Sequence, residues 1–279
     1  MEERRLEILL VALALASALY GFSDVPGWFA HEGFRNVPRE PDVLRIVTWN
    51  VGRSVDGGRP LADDAIGHVV GVLTELSPNV VLLQEVAVET QARRIGESLG
   101  SEWKRWISVG ADRRLAILAR GGSIIRRTDA GRLLEVEWRR SPNRRIAIVN
   151  AHAHAYSSRR RNQLIGGAVL MMDRRAAPLK IFAGDFNFDV DLDRRRDLFT
   201  DDEHLDVETY NFVAQRFTDA TLGTGSTAEP DRRLDYIFVS GDAVDVVRSG
   251  PWKGRRFRGM DHDPVVADIL CRGCAPAQR

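Results

Sequence analysis

KIFAGDFN, residues 180–187, carries Ile181, Phe182 and Ala183 and closes on Asp185 and Asn187. A short apolar run of this kind is what a strand buried on both faces looks like. The carboxylate and amide that end it are costly in such surroundings unless they pair or bind something. The same design recurs on either side. LRIVTWN (44–50), NVVLLQE (79–85) and RIAIVNAHAHA (145–155) begin as apolar, β-branched runs and end polar. RLDYIFVS (233–240) and DHDPVVADIL (261–270) reverse the order, with polar residues ahead of the apolar strand.

Helical segments lie between these runs. Ala62, Ile66, Val69, Leu73 and Leu76 repeat at helical spacing ahead of Pro78. Ser158 to Arg174 places Leu164, Ala168, Met171 and Met172 on one face and stops before Pro178. RRSPNRR (139–145) reads as a hairpin turn. Many strands with fewer helices predict two packed sheets with helices outside.

The chain has 279 residues, 44% hydrophobic and 28% charged, a balance that excludes a wholly disordered polypeptide. Lys+Arg total 40 and Asp+Glu 39, so any affinity for nucleic acid has to come from local clustering. There is no internal repeat, low-complexity tract or central linker. One catalytic domain over 43–270 is expected, behind an extension of residues 1–42 and ahead of a tail, 271–279. In the extension, Ile8 to Tyr20 is apolar apart from Ser17, shorter than the ~20 residues of a spanning helix. Arg4 and Arg5 precede it and small-residue sites close it, which fits a signal peptide or short anchor. A secreted, periplasmic or membrane-anchored protein is therefore expected; the alternative is a cytoplasmic one with a helix lying on the domain or a membrane surface. Cys271 and Cys274 in CRGC are too few for a zinc site and lack a thioredoxin-like context, leaving a local disulfide or two idle thiols.

Six segments thus deliver polar groups at strand ends: Asn50, Glu85, His152 with His154, Asp185 with Asn187, Asp235, and Asp261 with His262. Carboxylates and an amide without cysteine suit Mg²⁺ or Mn²⁺ rather than zinc. Histidines beside carboxylates hold protons or stabilise anionic oxygens. Phosphodiester hydrolysis needs charge neutralisation, an activated water and help for the leaving oxygen, and this inventory can supply all three.

LRIVTWNV, LLQEV, VNAHA, GDFN, RLDYIF and DHDPV resemble, in that order, the signature segments of the endonuclease/exonuclease/phosphatase superfamily. RRLAILAR (113–120) is similar to its central strand. The resemblance spans roughly Val43 to Leu270. It implies a four-layer α/β sandwich, two mixed β-sheets packed face to face and flanked by helices. It further implies Glu85 as principal metal ligand, supported by Asn50 and Asp261. Asp185 would position or deprotonate the attacking water, and Asn187 would bind a phosphate oxygen. Asp235 would orient His262 as an acid–histidine dyad, and His152 would contact phosphate or act as general acid. His154, two residues on, could share the face of His152, but a supporting role is expected of it. Met260 stands where the family often has serine, and Asp263 adds a carboxylate after the histidine. Asp189, Asp191 and Asp193 mimic a calcium loop without its glycine and glutamate, and read as a solvated loop.

Such a scaffold serves nucleic acids, phospholipids and inositol phosphates alike. In GPWKGRRFRGMDHDPV, the cations Lys253, Arg255, Arg256 and Arg258 are interleaved with Trp252 and Phe257. That mixture suits a nucleic-acid backbone with stacked bases or anionic lipid head groups. It also suits a solvated loop whose aromatics fold back on the core. Lys253, Arg255, Arg256 and, at the end of the central strand, Arg120 are the substrate-binding candidates. Arg160 and Gln163 resemble an R-x-x-Q pair of the family. No long hydrophobic hairpin of the sort membrane-acting sphingomyelinases insert is present, which favours a nuclease acting on DNA or RNA; a monomer is expected. A sphingomyelinase-like or inositol-phosphate hydrolase is the alternative. A non-catalytic scaffold is disfavoured, because neither a metal ligand nor the dyad is lost.

Overall fold

A computed structural model describes residues 34, 40, 42–52, 63–109, 114–141, 144–193, 205–241 and 244–272, whose strands form two six-stranded sheets. The first comprises β1 (Val43–Asn50), β2 (Val80–Val86), β3 (Trp103–Ile107), β4 (Arg114–Arg120), β11 (Val244–Pro251) and β12 (Val265–Cys271), in the order β11-β12-β1-β2-β4-β3. The second comprises β5 (Ser123–Asp129), β6 (Leu133–Ser141), β7 (Arg144–His152), β8 (Leu179–Asp185), β9 (Thr218–Asp219) and β10 (Asp235–Gly241), in the order β5-β6-β7-β8-β10-β9. Each sheet is mixed, with β1 parallel to β2 in one and β7 parallel to β8 in the other.

The continuous apolar runs follow from this layering. Alternate residues of one strand face opposite ways, and here both faces are covered. Leu44, Ile46, Leu82 and Ile117 of the first sheet meet Val136, Ile148, Ile181 and Ile237 of the second. Val47, Trp49 and Leu83 turn outward against α1 (Asp63–Leu76) and α2 (Glu89–Leu99). Val149, Phe182 and Phe238 turn outward against α3 (Ser158–Asp173) and α5 (Leu205–Ala214), while α4 (Val190–Asp193) is a single turn. The result is the expected helix–sheet–sheet–helix sandwich. Truncating Ile148, fully buried between the sheets, to alanine should cost about 2–5 kcal/mol.

One polar bridge crosses the apolar interior. Gln84 Nε2 donates to Thr48 Oγ1 (3.0 Å) and across the sandwich to Asn150 Oδ1 (2.8 Å). Asn150 Nδ2 returns bonds to the carbonyls of Leu83 (2.9 Å) and Ala116 (3.0 Å). All of these groups are buried, so the bonds register the two sheets directly below their polar ends.

The hairpin expected at 139–145 is present, with β6 and β7 pairing antiparallel on either side of residues 142–143. The helix from Ser158 is capped by Ser157, whose side chain accepts from Arg160 N. The Phe34 ring lies against the guanidinium groups of Arg45 (5.7 Å) and Arg248 (5.2 Å), and its carbonyl accepts from Arg45 Nη1. Cys271 is disulfide-bonded, which answers the question its sequence left open; Cys274 and the apolar run Ile8 to Tyr20 lie outside the described residues. Among the described residues no helix is long and apolar enough to cross a membrane.

Candidate active site

Strand direction gathers the polar residues. The parallel strands β1 and β2, and β7 and β8, point their C-terminal ends to one rim of the sandwich. β10 runs antiparallel to β8 and β12 antiparallel to β1, so both begin at that rim. Register does the rest: His152 and Asp235 are each the direct cross-strand partner of Asp185.

Asp185 lies at the centre and is buried. Its Oδ2 accepts from Asn50 Nδ2 (2.9 Å), reached from the other sheet, and its Oδ1 from the Asn187 N–H (2.9 Å). Burial pushes its carboxyl pKa up and the Asp235 charge adds to this, against the opposing pull of His262, His152 and Asn50. His262 Nδ1 meets Asp235 Oδ2 at 2.8 Å, and its Nε2 stands 3.9 Å from Asp185 Oδ2. Burial works against the charged imidazole, but Asp235 and Asp185 outweigh it and raise its pKa to about 10. His262 is therefore a cation at neutral pH. Thr227, unnoticed in the sequence, holds the dyad from behind: its hydroxyl donates to Asp235 Oδ2 (2.7 Å) and accepts from the Asp235 N–H (3.1 Å).

Glu85 arrives by a different device. The β2–β4 register shifts between Leu83 and Val86, and Glu85 takes a left-handed φ of 56°. For a residue with a Cβ that conformation costs on the order of 1–3 kcal/mol. It turns the carboxylate off the sheet face toward Gly52, whose missing side chain leaves it room. His152 Nε2 then stands between two carboxylates, 3.5 Å from Glu85 Oε1 and 3.6 Å from Asp185 Oδ2. Both distances exceed a hydrogen bond.

The donor set suits a divalent cation. Carboxylate oxygens of Asp185 and Asp235 and a ring nitrogen of His262 lie within 4.8 Å of one another, and Asp235 Oδ1 is buried without a hydrogen-bond partner; with His262 charged, the carboxylates are the ligands on offer. With Glu85 and Asp261 nearby, four carboxylates face two imidazoles. A hard cation with oxygen ligands answers that excess. Asn50 is less available as a ligand than expected, since its Oδ1 accepts from the Gly52 N–H (2.9 Å). Asp261 lines a cavity of about 540 Å³ with Glu229, Arg256, Phe257 and Arg258.

Several expectations need correction. Arg120 is not at the site: β4 runs antiparallel to β2, so its last residue bonds the Asn79 carbonyl at the far rim and pairs with Glu102 (3.4 Å). Lys253 and Arg256 are not free to meet substrate, because Asp263 takes both. Lys253 Nζ lies 2.8 Å from Asp263 Oδ2, and the Arg256 guanidinium grips both oxygens of the same carboxylate. The residue after His262 thus ties down the basic loop. Trp252 is buried and Phe257 packs on the core, so neither is placed to stack on a base; Arg255 and Arg258 stay exposed. Asp189 and Asp191 are not merely solvated: Arg233 donates to them through its N–H (2.8 Å) and Nε (2.9 Å). The side chain of Asp193 is outside the described residues. His154 lies beyond the end of β7, so strand alternation does not pair it with His152; its ring contacts Tyr156 and Arg160 instead.

A model of the endonuclease/exonuclease/phosphatase family matches residues 47–256. Among solved structures, TDP2 from D. rerio complexed with single-strand DNA product has a TM-score of 0.61 at 16% identity, covering 81% of this chain and 98% of that one. An AP endonuclease from Archaeoglobus fulgidus has a TM-score of 0.59 at 17% identity, covering 80% and 98%. Truncated TDP2 from Caenorhabditis elegans has a TM-score of 0.56 at 17% identity, covering 82% and 97%. At these identities the likeness is one of fold. No curated protein matches in sequence.

Proposed function

This chain belongs to the endonuclease/exonuclease/phosphatase family, and on that premise we propose that it is a Mg²⁺- or Mn²⁺-dependent phosphodiesterase that cleaves nucleic acid. The observation that carries this reading is the convergence of a charged Asp235–His262 pair and a buried, sheet-bridging Asp185–Asn50 pair on one point. A divalent cation, held by Glu85 with Asp185 and Asp261 nearby, would neutralise phosphate charge and ease formation of the nucleophile.

The chain's own groups do the rest. Asp185 is fixed by Asn50 and by the Asn187 N–H, and its raised pKa suits a base that takes a proton from the attacking water. His262 presents an Nε2–H toward the site while Asp235 holds the opposite nitrogen. Its positive charge interacts most strongly as negative charge builds on the phosphate oxygens. Asn187, whose Nδ2 bonds the Ala153 carbonyl (3.2 Å), has a second amide hydrogen for a phosphate oxygen. His152, whose Nε2 lies between the Glu85 and Asp185 carboxylates, would protonate the leaving oxygen.

Plasmid DNA, single-stranded DNA, RNA, sphingomyelin and inositol polyphosphates should be offered in turn, each with Mg²⁺ and with chelator. Cleavage of a nucleic acid that stops in chelator is expected. Full turnover in chelator, or turnover confined to lipid or inositol phosphates, overturns the reading.

A further inference from the structure

The loop after His152 is held more firmly than its connecting role requires. Arg132 Nη1 donates to the carbonyls of His152 (3.2 Å) and Ala153 (3.1 Å). Arg161 Nη1 donates to the next two, His154 (2.9 Å) and Ala155 (3.1 Å). Arg161 is itself locked by a buried ion pair with Asp206, joining α3 to α5. Two guanidinium groups therefore hold four successive carbonyls.

What this rigid loop presents is Tyr156. The residue is 86% exposed, and it is the one Phe, Tyr or Trp that the fold leaves exposed among the described residues. The ring stands edge-on to His154, with centroids 6.3 Å apart, and the Tyr156 N–H donates to His154 Nδ1 (3.1 Å). Arg160 Nη1 lies 3.2 Å from His154 Nε2 and has no acidic partner among the described residues. An exposed ring on an ordered backbone loses little freedom when a flat partner covers it. A guanidinium without a carboxylate beside it is available for phosphate.

Position defines the partner. Tyr156 is four residues beyond His152, so at most about 14 Å of chain separates them. Its neighbours in sequence are Ala155, Ser157, Ser158, Arg159 and Arg160. Insertion into a bilayer needs a contiguous apolar face, and this surface offers a single ring among polar groups.

We propose that Tyr156 and Arg160 form a subsite for an unpaired nucleotide flanking the scissile phosphate, the ring stacking on its base and the guanidinium holding its phosphate. This rests on the nuclease reading above and adds a preference to it. Bases stacked inside a duplex are not accessible to the ring, so single-stranded or frayed nucleic acid binds better than fully paired DNA.

The test is fluorescence anisotropy with the full chain in chelator, using a labelled single-stranded oligonucleotide, an abasic strand of equal length and a blunt duplex. Stacking on one base predicts that Tyr156→Ala binds the base-bearing strand about tenfold more weakly, and that Tyr156→Trp retains affinity. The abasic strand should not distinguish these variants. Arg160→Gln should weaken both strands and flatten the salt dependence by roughly one phosphate contact. Wild-type affinity in Tyr156→Ala, or an equal loss on the abasic strand, overturns the subsite. So does wild-type protein that binds the blunt duplex as tightly as the single strand. Because binding is read without turnover, a strand bound as expected but never cleaved would count against the hydrolase reading alone.

Discussion

Replacing Gly52 with alanine isolates the placement of Glu85. A Cβ built on Gly52 lies 2.7 Å from Glu85 Cδ and closer still to its Cβ and Oε2. Carbon atoms rest at about 3.5–4.0 Å, so the two groups must separate by roughly 1 Å. A rotamer change of Glu85 cannot relieve this, because its Cβ is fixed by the backbone and that backbone is already in the left-handed region. The strand ends must part, carrying the carboxylate off its mark. A displacement of about 1 Å in a catalytic group costs on the order of 10²-fold. Gly52→Ala should therefore lower kcat/KM about 10²-fold and raise the Mg²⁺ needed for half-maximal rate, while circular dichroism and Tm show a folded protein. Initial rates against Mg²⁺ concentration measure both effects. Wild-type rates in Gly52→Ala, or an unfolded variant, would refute the reasoning.

Other outcomes follow from the same geometry. Glu85→Gln should lose most activity and regain part of it at high Mg²⁺ or with Mn²⁺, read from the same titration. Asp235 and His262 act through one hydrogen bond, so Asp235→Asn/His262→Ala should turn over little more slowly than the worse single variant, itself down on the order of 10²-fold; multiplying penalties would break the dyad. The His262 pKa is raised in the fold, from an ordinary value near 6.5 to about 10. Its contribution to stability is thus fully present below about pH 6.5 and is lost as pH climbs toward 10. Urea unfolding of metal-free protein across that window should show a decline that His262→Gln lacks. We further propose that the segment Ile8 to Tyr20 directs export or anchors the chain; fractionation and N-terminal sequencing should find it cleaved or in membranes, and an intact Met1 in soluble cytosol speaks against both.

Much of the site was legible because its residues end apolar runs. Asp185, Glu85 and His152 stand out against strands that have no other reason to turn polar. What stayed hidden is set by tertiary approach rather than by local pattern. Gly52 is an ordinary loop glycine until Glu85 packs against it, and Thr227 becomes part of the dyad only when two segments cross. The basic loop misled for a related reason: its charge was visible, but not that Asp263 would grip Lys253 and Arg256. Tyr156 was passed over because one aromatic among serines and arginines has no periodicity. Helix α2 is harder to read, since the stripe it buries in ETQARRIGESL, Ala92, Ile95 and Gly96 beside Gln91, holds a single large apolar residue.

The sheet order has a consequence for the protein while it is being made. Among the described residues β1 is the first strand, yet one of its two neighbours is β12, the last. The intervening residues build the whole second sheet before the chain returns to the first. Asn50 and Glu85 leave the ribosome early, His152, Asp185 and Asp235 in mid-course, and His262 only with the returning strand. A nascent chain that has not reached Cys271 has an open edge on β1 and an incomplete candidate site. Stalled or prematurely terminated products should accordingly lack the proposed activity, which has to await the closing strand.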